Sequence, residues 1–187
     1  KVFANIPFSL TSDIINKITD IDSRLVEAFL FVQKESSERY MGIFNNTQIA
    51  TILSSTYDLC VIEDFERRDF NPIPNVDVVL LRITKKDNPE TEVKLYRDFV
   101  TYIFNQMNGN VLDTLKKLFT FNQLKYIKKQ LKRNSYNIPS DIPSEYYLEI
   151  FQHFKTNGLD YRKRVEGYYT KHINQHLGRE KINRTRI

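Results

Sequence analysis

The sequence predicts an α/β unit followed by a small all-α domain. Three observations predict it. Up to residue 86, apolar runs of strand length alternate with stretches of helical character. Past KKDNPE, the apolar spacing settles near 3.6 residues and stays there. The charge turns over at the same place. Residues 1–84 hold 8 Lys and Arg against 12 Asp and Glu, a net of −4, whereas residues 85–187 hold 20 against 11, a net of +9. The predicted units are 1–86, 87–178 and a basic tail, 179–187.

The elements follow in order. KVFANIPF is a strand. Thr11-Ser12-Asp13 supply an N-cap and an acidic first turn for a helix over DIINKITD. LVEAFLFVQ, rich in Val, Phe and Leu, is a second strand, and QKESSERYM a helix. NNTQIATILSSTYD is helical, with Asn45 or Asn46 as its cap. YDLCVIEDFE is a third strand, and VDVVLLRIT, set between NPIPN and KKDNPE, a fourth. Continuous apolar character in these strands argues for a mostly parallel sheet covered on both faces. VKLYRDFVTYIFNQM, NVLDTLKKLF, FNQLKYIKKQLKR, PSEYYLEIFQHFK and GLDYRKRVEGYYTKHINQHL are then five helical stretches. A sheet that opens with KVFANIPF carries that strand as a long apolar edge, a liability in a soluble protein. The expectation is therefore that a preceding segment supplies neighbouring strands.

Composition narrows the classes. At 41% hydrophobic and 27% charged the chain is globular. No apolar run reaches the length of a bilayer span. Lys1-Val2-Phe3 runs straight into a motif, so no leader is expected. A single cysteine, Cys60, suits a reducing cytoplasm and reads as a small core residue in YDLCVIEDF. His172 and His176 stand at i, i+4, but no Cys or carboxylate completes a metal set and His153 lies on another helix, so no metal is expected. Glu35 and Glu38, one helical turn apart, read as structural.

The chemistry concentrates at the tip of the first strand. Ligands of open α/β sheets bind at the carboxyl ends of strands. Pro7 fixes its own φ and pushes Ile6 towards an extended conformation. That aims the Asn5 side-chain oxygen and the Ile6 carbonyl at a common point, where two acceptors suit an exocyclic NH₂. Phe8 offers a flat face for a base to stack on. Such a pocket suits methyl transfer to an adenine amine, whose lone pair is otherwise delocalised into its ring. Four residues alone equally describe a strand-ending turn with a core Phe.

The neighbouring motifs decide between the two. NIPF with TSDIINKI, then VQKE (Val32 to Glu35), then FNPIPNVD (Phe70 to Asp77) resemble, in that order, the rRNA adenine N6-methyltransferases. The Erm type, which acts on 23S rRNA, is the nearer resemblance, and the small-subunit adenine dimethylases the next. The closing LGREKINRTRI resembles the basic tail of longer Erm proteins. The resemblance implies the rear half of a Rossmann-like sheet that uses S-adenosyl-L-methionine, joined to a helical RNA-binding domain. It implies that Asn5, Ile6, Pro7 and Phe8 are catalytic and that Asn5 also meets the methionine end of the cofactor. It places the target adenine between Phe8 and Phe70. Phe8 stands where Tyr is common and keeps the stacking face; Asn75 stands where Lys is usual. The family's glycine-rich cofactor turn belongs before NIPF, and none of the five glycines here is clustered. The chain then begins at the fourth strand of the sheet and by itself neither binds the cofactor usefully nor methylates RNA. Also implied are macrolide, lincosamide and streptogramin B resistance and a monomer when full-length. The alternatives are a 16S-type dimethylase and, from another class, a non-catalytic RNA-binding module with the same fold.

The basic half suggests where RNA lies. On FNQLKYIKKQLKR, Lys125, Lys128, Lys129 and Lys132 share one face, and Leu124, Ile127 and Leu131 another. Lys116, Lys117 and Arg133 extend the positive area, as do Arg162, Lys163 and Arg164, then Arg179, Lys181, Arg184 and Arg186 of the tail. Such a face contacts phosphates without reading sequence; the bland alternative is a solvated helix face.

Overall fold

A computed structural model of the protein describes residues 1–106, 110–133, 136–157 and 161–177; for 130, 132, 133, 157, 176 and 177 it describes the main chain alone. Four strands, β1 (Val2–Asn5), β2 (Glu27–Gln33), β3 (Tyr57–Phe65) and β4 (Val78–Lys85), form one sheet in the order β1-β2-β4-β3. Among the described residues only the β1–β2 pairing is parallel; β2–β4 and β3–β4 are antiparallel. The sheet is therefore mixed rather than mostly parallel. The chain leaves β3, turns through residues 66–77 and comes back as β4 between β2 and β3. The unbroken apolar runs of β2 and β4 reflect these central places, not parallel pairing.

Helices α1 (Thr11–Ile18), α2 (Lys34–Met41) and α3 (Gln48–Leu53) join the strands. Their Ile15, Tyr40 and Leu53 pack on Ala28, Leu30, Val32, Val79, Leu81 and Ile83 in a single buried cluster. Those sheet residues alternate with less buried ones, so among the described residues only one face of the sheet is closely covered. Cys60 is exposed rather than in the core. Leu59 and Val61 supply the apolar face of β3, and Cys60 between them turns to the other side, opposite Arg82.

Two caps differ from expectation. A short 3₁₀ turn, Phe8–Leu10, precedes α1, so Leu10 occupies its N-cap and Thr11 is buried inside the helix. For α3 the cap is Thr47, whose hydroxyl accepts from the Ala50 N–H at 3.1 Å. Asn46 is engaged elsewhere: its amide donates to the Ile142 carbonyl at 2.9 Å and accepts from the Ser144 hydroxyl.

The second half is helical: α4 (Val93–Phe104), α5 (Val111–Leu115), α6 (Phe121–Arg133), α7 (Ser144–Asn157), α8 (Arg162–Val165) and α9 (Tyr168–Leu177). The last two were one expected stretch. Gly167, at φ +76°, breaks it in a conformation that favours glycine. The buried Asp98 of α4 then accepts from the Gly167 and Tyr169 N–H groups at 2.8 and 2.9 Å, capping α9 from outside. Tyr96, Phe99, Phe151 and Phe154 centre this second core, with the Tyr96–Phe151, Phe99–Phe151 and Phe99–Phe154 rings 5.1 to 5.4 Å apart.

Helix α3 and the segment after β4 join the halves. The Tyr96 hydroxyl donates to the Thr51 carbonyl at 3.2 Å. Glu90 is buried, and its carboxylate accepts from Lys155, Gln152 and the Glu92 N–H at 2.7, 2.8 and 2.9 Å. Burial alone would push this carboxyl up. Lys155 and the other two donors outweigh it and hold the group below the ordinary carboxylate range.

Candidate active site

The edge strand β1 brings NIPF to the carboxyl end of the one parallel pair. In register Asn5 lies beside Phe31 and Ala4 beside Leu30. Ala4 thus shares the covered face, while Asn5 shares the open one with Phe3, Phe29 and Phe31. Ile6 is 6% exposed and belongs to the sheet core, which anchors the tip. Pro7 sits at φ −59°, ψ 126°, and its carbonyl accepts from Leu10 N–H at 2.9 Å, turning the chain sharply into the 3₁₀ turn that Phe8 opens. Asn5 is exposed and Phe8 half-buried, so a ligand can reach both.

Phe70 arrives at the same place from far along the chain. Phe31, the register partner of Asn5, meets Phe65 at 5.2 Å and Phe70 at 6.1 Å, and Phe65 meets Phe70 at 5.9 Å. A bulge on β3 makes this possible. Val61 pairs with Leu81, but Glu63 pairs with Leu80, so the register slips by one residue. Phe65, which strict alternation would place beside Val61, instead faces Phe31. Ion pairs clamp the loop that carries Phe70. Arg67 Nε donates to Asp77 Oδ1 at 2.9 Å, and the Asp77 carbonyl accepts from the Lys34 N–H at 2.9 Å. Lys34 Nζ reaches Asp64 at 2.8 Å; that hydrogen bond, then the aspartate charge, raises the ammonium pKa. Asn75, on the same loop, is exposed.

Phe31 and Phe65 thus join Phe70 in the candidate site, and motif reading passes over both. Phe31 had a signal, since EAFLFVQ sets Phe29 and Phe31 on one face and Ala28, Leu30 and Val32 on the other. Phe65 had none, because its orientation depends on the bulge.

The basic residues divide by what they touch. Lys125, Lys128 and Lys129 are exposed on α6, and among the described residues none makes a salt bridge. Lys116 is exposed but paired with Asp113 at 2.6 Å, and Lys117 donates to Gln106 at 3.3 Å. Arg162 is held by Glu92 and Glu166 at 3.1 and 2.6 Å, so its charge is answered within the fold. Arg164 is exposed, lies 5.1 Å over the Tyr161 ring and donates to the Lys117 carbonyl. Lys163 is exposed. Lys132 and Arg133 lie on α6, but their side chains are outside the described residues, as are Arg179, Lys181, Arg184, Arg186 and the His176 side chain. His153 lies against Tyr126, rings 5.1 Å apart. Among the described residues no group of three His, Cys, Asp or Glu could hold a metal ion, and no helix is long and apolar enough to cross a membrane.

A cofactor with an adenosine end needs a cradle, and the described glycines do not make one beside β1. Gly42 ends α2 in the left-handed conformation and Gly167 separates α8 from α9. What β1 offers such a group is the exposed amide of Asn5.

Comparison with known proteins agrees with this architecture. Residues 1–156 match the family model described as ribosomal RNA adenine dimethylase. A ribosomal RNA small subunit methyltransferase A of Mycoplasmopsis pulmonis is 33% identical over 68% of this chain and 51% of its own length. An rRNA adenine N-6-methyltransferase of Bacillus licheniformis is 23% identical over 80% of this chain and 54% of its own. The crystal structure of the 23S rRNA methyltransferase ErmE superposes with a TM-score of 0.69 at 18% identity, over 82% of this chain and 64% of that one. A dimethyladenosine transferase from Plasmodium falciparum gives 0.54 at 21% identity, over 95% and 66%. The chain spans about half the length of these two curated relatives.

Proposed function

Because the chain belongs to the ribosomal RNA adenine dimethylase family, we propose that it provides the target-base pocket and an RNA-binding surface of an rRNA adenine N6-methyltransferase. The observation that carries this is the register that sets exposed Asn5, at the end of β1, beside Phe31, whose ring meets Phe65 and Phe70. The proposed division is a catalytic part, 1–86, a helical RNA-binding part, 87–178, and a basic tail, 179–187.

The chain's residues act on the base and on its amine. An adenine extruded from its stack slides between Phe8 and Phe70. The Asn5 side-chain oxygen and the Ile6 carbonyl accept from the two N–H groups of the exocyclic amine. That draws the amine hydrogens out of the ring plane and turns the nitrogen lone pair outward. The same two oxygens stabilise the positive charge that grows on nitrogen as its new bond forms. No strong base is needed, and the extra proton leaves to water. When bound, S-adenosyl-L-methionine would supply an electrophilic methyl, and the residue of this chain proposed to touch its methionine end is Asn5.

Large-subunit RNA, with the resistance that follows, is the first substrate proposed, on Ile6 in the motif and the basic tail. The 33% identical relative named for the small subunit favours 16S-type RNA as the second. Incubating the complete protein with isolated large- and small-subunit rRNA and methyl-labelled cofactor, followed by nucleoside analysis, tests both. Label in N6-methylated adenosine from the large-subunit RNA is the expected result. Label confined to small-subunit RNA moves the substrate, and no labelled adenosine sinks the proposal.

A further inference from the structure

Among the described aromatic residues of the helical half, Phe121 and Tyr126, both on α6, are exposed, and Phe121 is the more so. Phe99, Phe151 and Phe154 are almost wholly covered, and Phe119 is 2% exposed; two positions later Phe121 is 83% exposed. Its place explains the exposure. It is the first residue of α6, and helical side chains lean back towards the N-terminus, so no preceding turn lies beneath the ring. The helix start itself is well fixed. Gln123 Oε1 accepts from the Thr120 N–H at 2.8 Å, and the Thr120 carbonyl accepts from Leu124 N–H at 3.0 Å.

Helical spacing then sets Phe121 among cations. Residues 121, 125 and 128 stand at i, i+4 and i+7 on one face, with Lys129 at its flank. Ile127 and Leu131 fix the orientation by being buried on another face. An exposed aromatic ring in line with exposed lysines is the composition of a single-strand platform: the ring stacks on a base and the ammonium groups neutralise its neighbouring phosphates.

We propose that Phe121, set among Lys125, Lys128 and Lys129 on one face of α6, is a stacking platform for an unpaired base of the RNA substrate, outside the target-adenine pocket. This rests on the proposal that the protein binds rRNA. It gives the helical half a preference for unpaired over duplex RNA, which lysines alone do not provide.

The chain has no tryptophan, so Phe121→Trp introduces a single indole. A short oligoadenylate and a blunt RNA duplex are the probes, with Ile62→Trp, exposed on β3, as the reference. The indole at 121 is expected to be quenched by oligoadenylate and little by duplex, with the one at 62 unmoved. Phe121→Ala is expected to weaken oligoadenylate binding about ten-fold, and Phe121→Tyr to restore it. The salt slope stays unchanged in both, since it counts phosphate contacts. An indole at 121 that stays unmoved while labelled oligoadenylate saturates the protein overturns the platform. So does unaltered affinity in Phe121→Ala, a flattened slope, or no oligoadenylate binding at all. Failure of the complete protein to methylate rRNA, with the 121 response intact, removes the proposed function and leaves the platform standing.

Discussion

The two faces of the one sheet do different things, and β2 shows it residue by residue. Ala28, Leu30 and Val32 are fully buried under α1, α2 and α3. Phe29, Phe31 and Gln33, which alternate with them, remain partly open, and Phe3 on β1 is 70% exposed. The first face holds the fold together. The second carries Asn5 and the Phe31–Phe65–Phe70 cluster, where an apolar side chain contributes less to stability and is available to a ligand. An aromatic residue in a strand therefore cannot be assigned to core or site by type; its register decides.

Truncation on each face tests this contrast most strongly. Leu30→Ala should destabilise the protein by about 2–5 kcal/mol, through lost burial and the cavity left behind. Phe3→Ala should stay within about 0.5 kcal/mol. Denaturant unfolding of both variants reads the difference, and equal losses would mean that the open face is as structural as the covered one.

The junction between the halves comes next. Glu90→Gln should cost about 1–3 kcal/mol at pH 7. The Glu90 carboxyl is held below its unfolded value, so its contribution is fully present above about pH 4.3, the ordinary glutamate value, and is lost as pH falls through the folded value. The stability gap between the parent chain and Glu90→Gln should accordingly shrink on acidification, and a constant gap across that range would contradict the clamp. A smaller effect belongs to the cap of α3. Thr47→Ala should lose about 1 kcal/mol. Asn45→Ala should change thermal unfolding by no more than about 0.5 kcal/mol, since Asn45 caps nothing.

Much of the fold was legible because it rests on local patterns. All four strands were expected within a few residues, and the helical half was announced by its period and its charge. Strand direction was not legible: an apolar run reports a central position, and the return of β4 between β2 and β3 depends on a loop whose path composition does not encode. The bulge that turns Phe65 hides for the same reason, and Cys60 looked buried because it stands in an apolar run whose Leu59 and Val61 do pack against the core. The cap of α3 was placed early because Asn45, Asn46 and Thr47 are all good caps, and tertiary contacts to Ile142 and Ser144 claimed Asn46. For the candidate site, the motifs offered Asn5 to Phe8 and Phe70; the register of Asn5 beside Phe31, the contact of Phe31 with Phe70, and the engagement of Arg162 by Glu92 and Glu166 are tertiary facts.

The central claim is that the exposed Asn5 amide holds the target amine while the nitrogen is methylated. Single-turnover methyl transfer to rRNA by the complete protein, compared with its Asn5→Ala variant, tests it most directly. The account predicts a loss of about 10²–10³-fold in the transfer rate, as for removal of one transition-state hydrogen-bonding group, at unchanged RNA affinity. Transfer at near the parent rate would contradict it and return NIPF to a strand-ending turn.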